Sequence, residues 1–217
     1  FVKRDGKATD DAVIARRSID HAIRPLFPKD YMDEVQLVVT VLSLDDDADP
    51  EFLSMIATSA CLQASDIPFF GPFASARIGM IDNTLVLSPT LKDLEDKSDL
   101  DMMVSFVGED KRFLAAEVEA NVLPEEKILE SINFARDNIQ ELYDFIGDFV
   151  KEVNPNGEKY EYVSRFPPEE LVNTVSDQYF VKIEEIMKEK TPSDGKQTMA
   201  DKLTEVEEEL FKTYEGT

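Results

Sequence analysis

Arg17, His21 and Arg24 are spaced four and then three residues apart in IARRSIDHAIRPLFP. At about 3.6 residues per turn, this spacing sets three cation-capable side chains on one side of a helix. There the planar guanidinium forks could hold phosphate oxygens bidentately. The chain around them is strongly acidic, with a formal net charge of -23 from 46 acids against 23 lysines and arginines. Residues 1–29 invert that balance: Lys3, Arg4, Lys7, Arg16, Arg17, Arg24 and Lys29 outnumber Asp5, Asp10, Asp11 and Asp20. A polyanion is repelled by most of such a surface and can approach where the cations gather. An ordinary solvated helix face is the competing reading, and the residues alone leave it open.

Other chemistries are poorly served. One histidine and one cysteine cannot build a zinc site. Asp45, Asp47 and Asp49 alternate as in a calcium loop, but Pro50 stands where the turn needs glycine and Ile56 where a bidentate glutamate belongs. Periodicity brings no nucleophile to His21, and no glycine-rich phosphate loop is present. Glu117 and Glu119 share one face of an expected strand, a geometry compatible with acid–base work, although coincidence explains the pair better among 46 acids.

The elements that must position the cations follow from periodicity and punctuation. ATDDAVIARRSIDHAIRPLF reads as a helix capped by Thr9 or Asp10 and stopped at Pro25, with Ala12, Ala15, Ile19, Ala22 and Ile23 on its core side. EVQLVVTVLSL (34–44), rich in β-branched residues, predicts a buried strand. DPEFLSMIATSACLQAS predicts a tightly packed helix with an aspartate N-cap and a first-position proline. ASARIGMID and NTLVLSPT predict a hairpin turning at Asp82-Asn83, and two further strands are expected in 99–108 and 112–120. A single long helix is expected from Leu123 to Val153, with Ile128, Ile132, Ala135, Ile139, Leu142, Ile146, Phe149 and Val150 along one stripe. These elements predict an α+β domain, a mixed sheet with helices on one face, over 1–153. A linker is expected over 154–167 and a small all-helical unit, two amphipathic helices, over 168–217.

Length and 42% hydrophobic content allow a real core. The longest apolar runs, such as LVVTVL, fall short of the roughly 20 residues of a membrane-spanning helix, and charges interrupt the first 30 residues, unlike a secretory leader. A lone Cys61 fits a reducing compartment, so the expected location is cytoplasmic, without a membrane partner.

The ordered set of IRPLFP, IPF-GP and LSPT motifs, together with FVKRDGKATDDAVIARRSIDHAIRPLFPKDYMDEVQ and AEVEANVLPEEKIL, resembles the first ribonuclease-PH-like domain of the polynucleotide phosphorylase family. The resemblance covers about residues 1–150, and the segment after it is more loosely similar to the all-helical domain that follows in that family. It implies a ribonuclease-PH-like (ribosomal protein S5 domain 2-like) fold with its N-terminal strands missing and a truncated helical domain. The chain is then an internal fragment of a phosphate-dependent 3′-to-5′ exoribonuclease of RNA processing and mRNA degradation. Catalysis is implied to lie mainly in a second core domain, with no catalytic or metal residue in this chain. Inorganic phosphate as co-substrate and Mg belong to the full-length enzyme, and neither is expected on this fragment. Implied partners are single-stranded RNA, two further copies in a homotrimer, and other RNA-degradation proteins.

Residue by residue, the family's aromatic and arginine channel loop falls on Phe1, Val2, Lys3 and Arg4, so that one aromatic is lost and one arginine has become lysine. Its helical arginines fall on Arg17, His21 and Arg24, and a strand arginine falls on Arg77. The expected RNA- and phosphate-binding set is therefore Phe1, Lys3, Arg4, Arg17, His21, Arg24 and Arg77. His21 and Ala22 replace an arginine and a proline, and histidine, unlike arginine, is not permanently charged. A stand-alone phosphorolytic enzyme of the same fold and a non-enzymatic acidic scaffold remain the alternatives.

Overall fold

The computed structural model describes residues 6, 8–45, 48–188 and 196–214, without the side chains of 196–198. The contacts divide the chain into two compact units, Phe1–Ser164 and Arg165–Thr217.

The first unit opens with α1 (Asp10–Ile23), where the Thr9 hydroxyl accepts from the Ala12 amide at 3.3 Å and two aspartates fill the positive first turn. Pro25 converts the chain into one 3₁₀ turn, Arg24–Leu26. α2 (Pro50–Ala64) starts as its sequence demands, with Asp49 accepting from the Glu51 and Phe52 amides at 3.0 and 3.1 Å and proline at the first position. Next come β1 (Phe73–Ile81), β2 (Thr84–Leu87), α3 (Leu91–Lys97), β3 (Ser98–Val107) and β4 (Arg112–Ala120), then α4 (Glu125–Asn138) and α5 (Gln140–Val153).

The sheet has the order β2-β1-β3-β4 and every pairing is antiparallel, not mixed as expected. Asp82 and Asn83 both adopt positive φ, 49° and 59°, which the tight β1–β2 hairpin requires and asparagine and aspartate tolerate. Helices cover both faces of the sheet, not one. On one face Ala74, Ala76, Ile78, Met102, Val104 and Phe106 pack with Ala135, Ile139 and Ile146 of the α4–α5 region. On the other, Phe73 and Val107 pack with Ile19, Ala22 and Leu26 of the α1 segment and Met55 and Leu62 of α2. A face left open would expose its alternate apolar residues to water, and this sheet carries apolar residues on both.

Two further expectations are corrected. The long helix is broken at Ile139 into α4 and α5, although Ala135, Ile139 and Ile146 of the expected stripe still pack on one sheet face. Segment 34–44 is not a buried strand: no ladder pairs it among the described residues, and Val38 and Leu42 are 73% and 94% exposed. Its β propensity is unspent, since it pairs with neither edge strand, β2 nor β4, and of its residues only Leu37 packs against the core. Residues 154–164, within the expected linker, hydrogen-bond back to the α2 end of the first unit. The Tyr160 amide donates to the Asp66 carbonyl at 2.8 Å, and Lys159 Nζ donates to the carbonyls of Leu62, Gln63 and Ser65.

The second unit contains, among the described residues, α6 (Glu169–Lys188) and α7 (Lys196–Tyr214), linked by a Tyr179–Thr213 hydroxyl hydrogen bond of 3.3 Å and a Lys182–Glu209 ion pair.

Candidate nucleic-acid interface

α1 is held by its apolar and small residues. Ile19 and Ala22 are buried, and the Ser18 hydroxyl donates to Glu51 Oε1 of α2 at 2.6 Å. PLFP anchors the end of the helix. Leu26 is buried, its carbonyl accepts from the Phe70 amide at 2.8 Å, and the Phe27 ring meets Phe69 edge-on with centroids 5.3 Å apart. The opposite side of α1 faces solvent and carries Arg17, His21 and Arg24 on one line, as their spacing predicts.

The three differ in what they already hold. Arg17 is exposed, with no ion-pair partner among the described residues. Arg24, 75% exposed, is gripped through two nitrogens by Asp20, at 2.5 and 3.1 Å. That hydrogen bond, more than the charge, raises the guanidinium above its ordinary pKa. His21 Nδ1 lies 2.7 Å from Glu117 Oε1 of β4. Both of these side chains are nearly half exposed, at 46% and 47%.

Arg77 lies on β1, in the register row of Met103 and Glu117, rather than on α1. Its guanidinium is only 14% exposed and donates to both oxygens of Asp101, at 2.8 and 2.6 Å, and to Asp49 Oδ2 at 2.8 Å, with Glu51 at 3.4 Å. Burial pulls its pKa down, but the bonds to Asp101 and Asp49 outweigh burial and hold it above the ordinary arginine value. Caged by three carboxylates, Arg77 ties the N-terminus of α2 to the β1–β3 ladder. Through Glu51 it also supports Ser18, and so the seat of α1. Phe1, Lys3 and Arg4 lie outside the described residues. The structure thus brings Arg17, His21 and Arg24 together and sets Arg77 apart as a strut.

Counter-charges were the part that sequence reasoning missed. Asp20 to Arg24 is an i, i+4 pair readable from spacing alone. Glu117 was singled out only as half of a carboxylate pair, since nothing local to RFLAAEVEA says that β4 lies beside α1. No group of three or more histidine, cysteine, aspartate or glutamate residues suited to a metal ion occurs among the described residues. A shallow hollow beside β2 and α4, lined by Leu85, Leu129, Phe134, Glu126, Glu130 and Asp137, offers no cation to a polyanion.

Comparison with known proteins agrees with this architecture. The first domain of the 3′ exoribonuclease family matches residues 1–68, and the second domain of that family matches residues 71–138. A polyribonucleotide nucleotidyltransferase of Caldicellulosiruptor saccharolyticus is 38% identical over 218 residues, covering 100% of this chain and 30% of the relative. That of Lachnoclostridium phytofermentans is 35% identical over 215 residues, 99% of this chain and 30% of the relative. Polyribonucleotide nucleotidyltransferase 3 of Alkaliphilus metalliredigens is 43% identical over 153 residues, 70% of this chain and 21% of the relative. The chain thus spans less than a third of the length of these curated relatives. The crystal structure of rice (Oryza sativa) Rrp46 matches with a TM-score of 0.53 at 14% identity, over 68% of this chain and 69% of that one, a likeness of fold. Two consecutive family domains over most of the first unit, and relatives aligned along the whole length, place the chain in the ribonuclease-PH-like 3′ exoribonuclease family.

Proposed function

We propose that this chain is part of a polyribonucleotide nucleotidyltransferase, a phosphorolytic 3′-to-5′ exoribonuclease of mRNA degradation and RNA processing. Its own contribution is to contact single-stranded RNA through the solvent face of α1 and to help assemble a homotrimeric ring in the cytoplasm. Bond cleavage, with inorganic phosphate as co-substrate and Mg, belongs to a second core domain, and other RNA-degradation proteins are further partners. The observation that carries this reading is the alignment of the entire chain to 30% of proteins bearing that activity's name. The exposed Arg17, unpaired among the described residues, supports the RNA contact, since a free guanidinium gains most from a phosphate ligand. Phe1, Lys3 and Arg4 complete the proposed RNA path. Arg77, enclosed by carboxylates, is the member of the sequence-derived set with least to offer a ligand.

The test is anisotropy of a labelled oligo(A) with this chain, together with phosphate-dependent nucleoside diphosphate release by this chain and by a full-length relative. Binding without release by the chain, and release by the relative, is expected. Release by the chain alone would make it a stand-alone phosphorylase. A non-enzymatic acidic binding module is the second reading, favoured by the carboxylates already seated on His21 and Arg24; it predicts neither binding nor release.

A further inference from the structure

We propose that His21, fixed by Glu117, recognises the ribose 2′-hydroxyl of the bound strand and so selects RNA over DNA; this rests on the reading of α1 as an RNA-contacting face. An ionised carboxylate can only accept, so the 2.7 Å contact requires the proton of a neutral imidazole to sit on Nδ1. Which nitrogen of a histidine carries the proton is set by the bond the other makes. Nε2 is then left as a bare acceptor, and no partner holds it among the described residues. A bare acceptor repels phosphate oxygens, which are acceptors themselves. It suits a hydroxyl donor, and the hydroxyl that RNA has and DNA lacks is the 2′-OH.

The flanking residues put that acceptor in register with a strand. Arg17 lies one turn before His21 and Arg24 one turn after it on the same exposed side of α1, and both can donate to phosphates. Arg24 spends two nitrogens on Asp20 and keeps a third for a ligand. Guanidinium groups thus track the backbone above and below, and the one acceptor between them meets a sugar. Glu117 acts through His21 and is a positioning residue. It is the register partner of Met103, on a strand paired along its length with β3, so that the imidazole is aimed by a rigid element.

Because His21 is the single histidine of the chain, its tautomer can be read without assignment ambiguity by long-range ¹H–¹⁵N NMR at pH 8. The Nδ1–H form is expected. Glu117→Ala should return the ring to the Nε2–H form, while Glu117→Gln, whose amide oxygen still accepts, should retain the Nδ1–H form. At the same pH, oligo(A) and oligo(dA) of equal length are titrated by anisotropy. Wild type should prefer RNA, and His21→Phe and Glu117→Ala should each lower the RNA/DNA affinity ratio about two- to tenfold, the range of one net hydrogen bond, with Glu117→Gln restoring it. An Nε2–H tautomer in the wild type overturns the proposal without reference to any ligand. A ratio unmoved in His21→Phe overturns it while the RNA reading stands. Absence of binding to either strand overturns both.

Discussion

Arg77 and Asp101 meet across β1 and β3 through two hydrogen bonds of 2.8 and 2.6 Å, and the same guanidinium reaches Asp49, the N-cap of α2. The site resembles an anion-binding arginine in sequence, yet its anions are supplied by the protein. Replacing Arg77 with glutamine strips three carboxylates of their shared cation. Removing one partner of a buried pair costs about 3–5 kcal/mol, and the partial exposure of Asp101 brings the expected loss to about 2–3 kcal/mol. Urea denaturation should show a lower midpoint at unchanged m-value. The salt dependence of oligo(A) binding should stay the same, whereas a fall in its slope would make Arg77 an RNA contact after all.

Lys159 closes the C-terminus of α2 by donating to the carbonyls of Leu62, Gln63 and Ser65, at 3.2, 3.1 and 2.7 Å. Burial lowers the pKa of this ammonium, and Asp66 partly restores it. Lys159→Met keeps the aliphatic stem and loses the cation at the negative end of the helix, a change worth about 1 kcal/mol. The amides of the last turn of α2 and the Tyr160 amide should exchange faster in this variant, with those of β1 and β3 unaffected.

Asp30 accepts hydrogen bonds from Ser164 and Tyr162, the latter at 2.7 Å, and is held below its ordinary carboxylate value of 3.8. A depressed carboxylate favours the folded state above the unfolded pKa, and that contribution fades as pH falls through the folded one. Tyr162 is raised by the same bond, so its share is present below the ordinary tyrosine value and fades at higher alkalinity. The difference in Tm between wild type and Asp30→Asn should therefore be largest from pH 5 to 9 and shrink at about pH 3 and about pH 11. A difference constant across that range would place the stabilisation outside this pair.

The local part of the fold was legible because it is local. Thr9 and Asp49 as caps, Pro25 as a stop and Asp82-Asn83 as a turn each act on neighbours within four residues, and each appears where its chemistry puts it. What was not legible depends on distant partners. VQLVVTVLSL has every property of a strand except a neighbour, α3 is too short for its period to register, and Ile139 breaks a helix whose apolar stripe runs on unbroken. The site divides in the same way. The line of Arg17, His21 and Arg24 is fixed by helical repeat, while Glu117 lies 96 residues from His21 and the carboxylates of Arg77 come from α2 and β3. A charged residue announces its type in the sequence, but whether it is free depends on the fold.

That distinction ranks Arg17 against Arg24. Arg17 gives up no ion pair among the described residues on meeting a phosphate, so Arg17→Gln should lower oligo(A) affinity and reduce the log K against log[salt] slope by about 0.7, one phosphate's counterion release on a single strand. Arg24 must share its fork with Asp20, whose charge already offsets it, so Arg24→Gln should shift affinity and slope by less. Asp20→Asn frees that fork without adding a cation and should strengthen binding, steepening the slope in the direction opposite to Arg17→Gln. The three salt titrations together separate an electrostatic track from general surface charge. If the carboxylate on Arg24 regulates its access, the Asp20→Asn gain disappears when Arg24 is also glutamine; if Asp20 only repels RNA at a distance, the gain survives in the double variant.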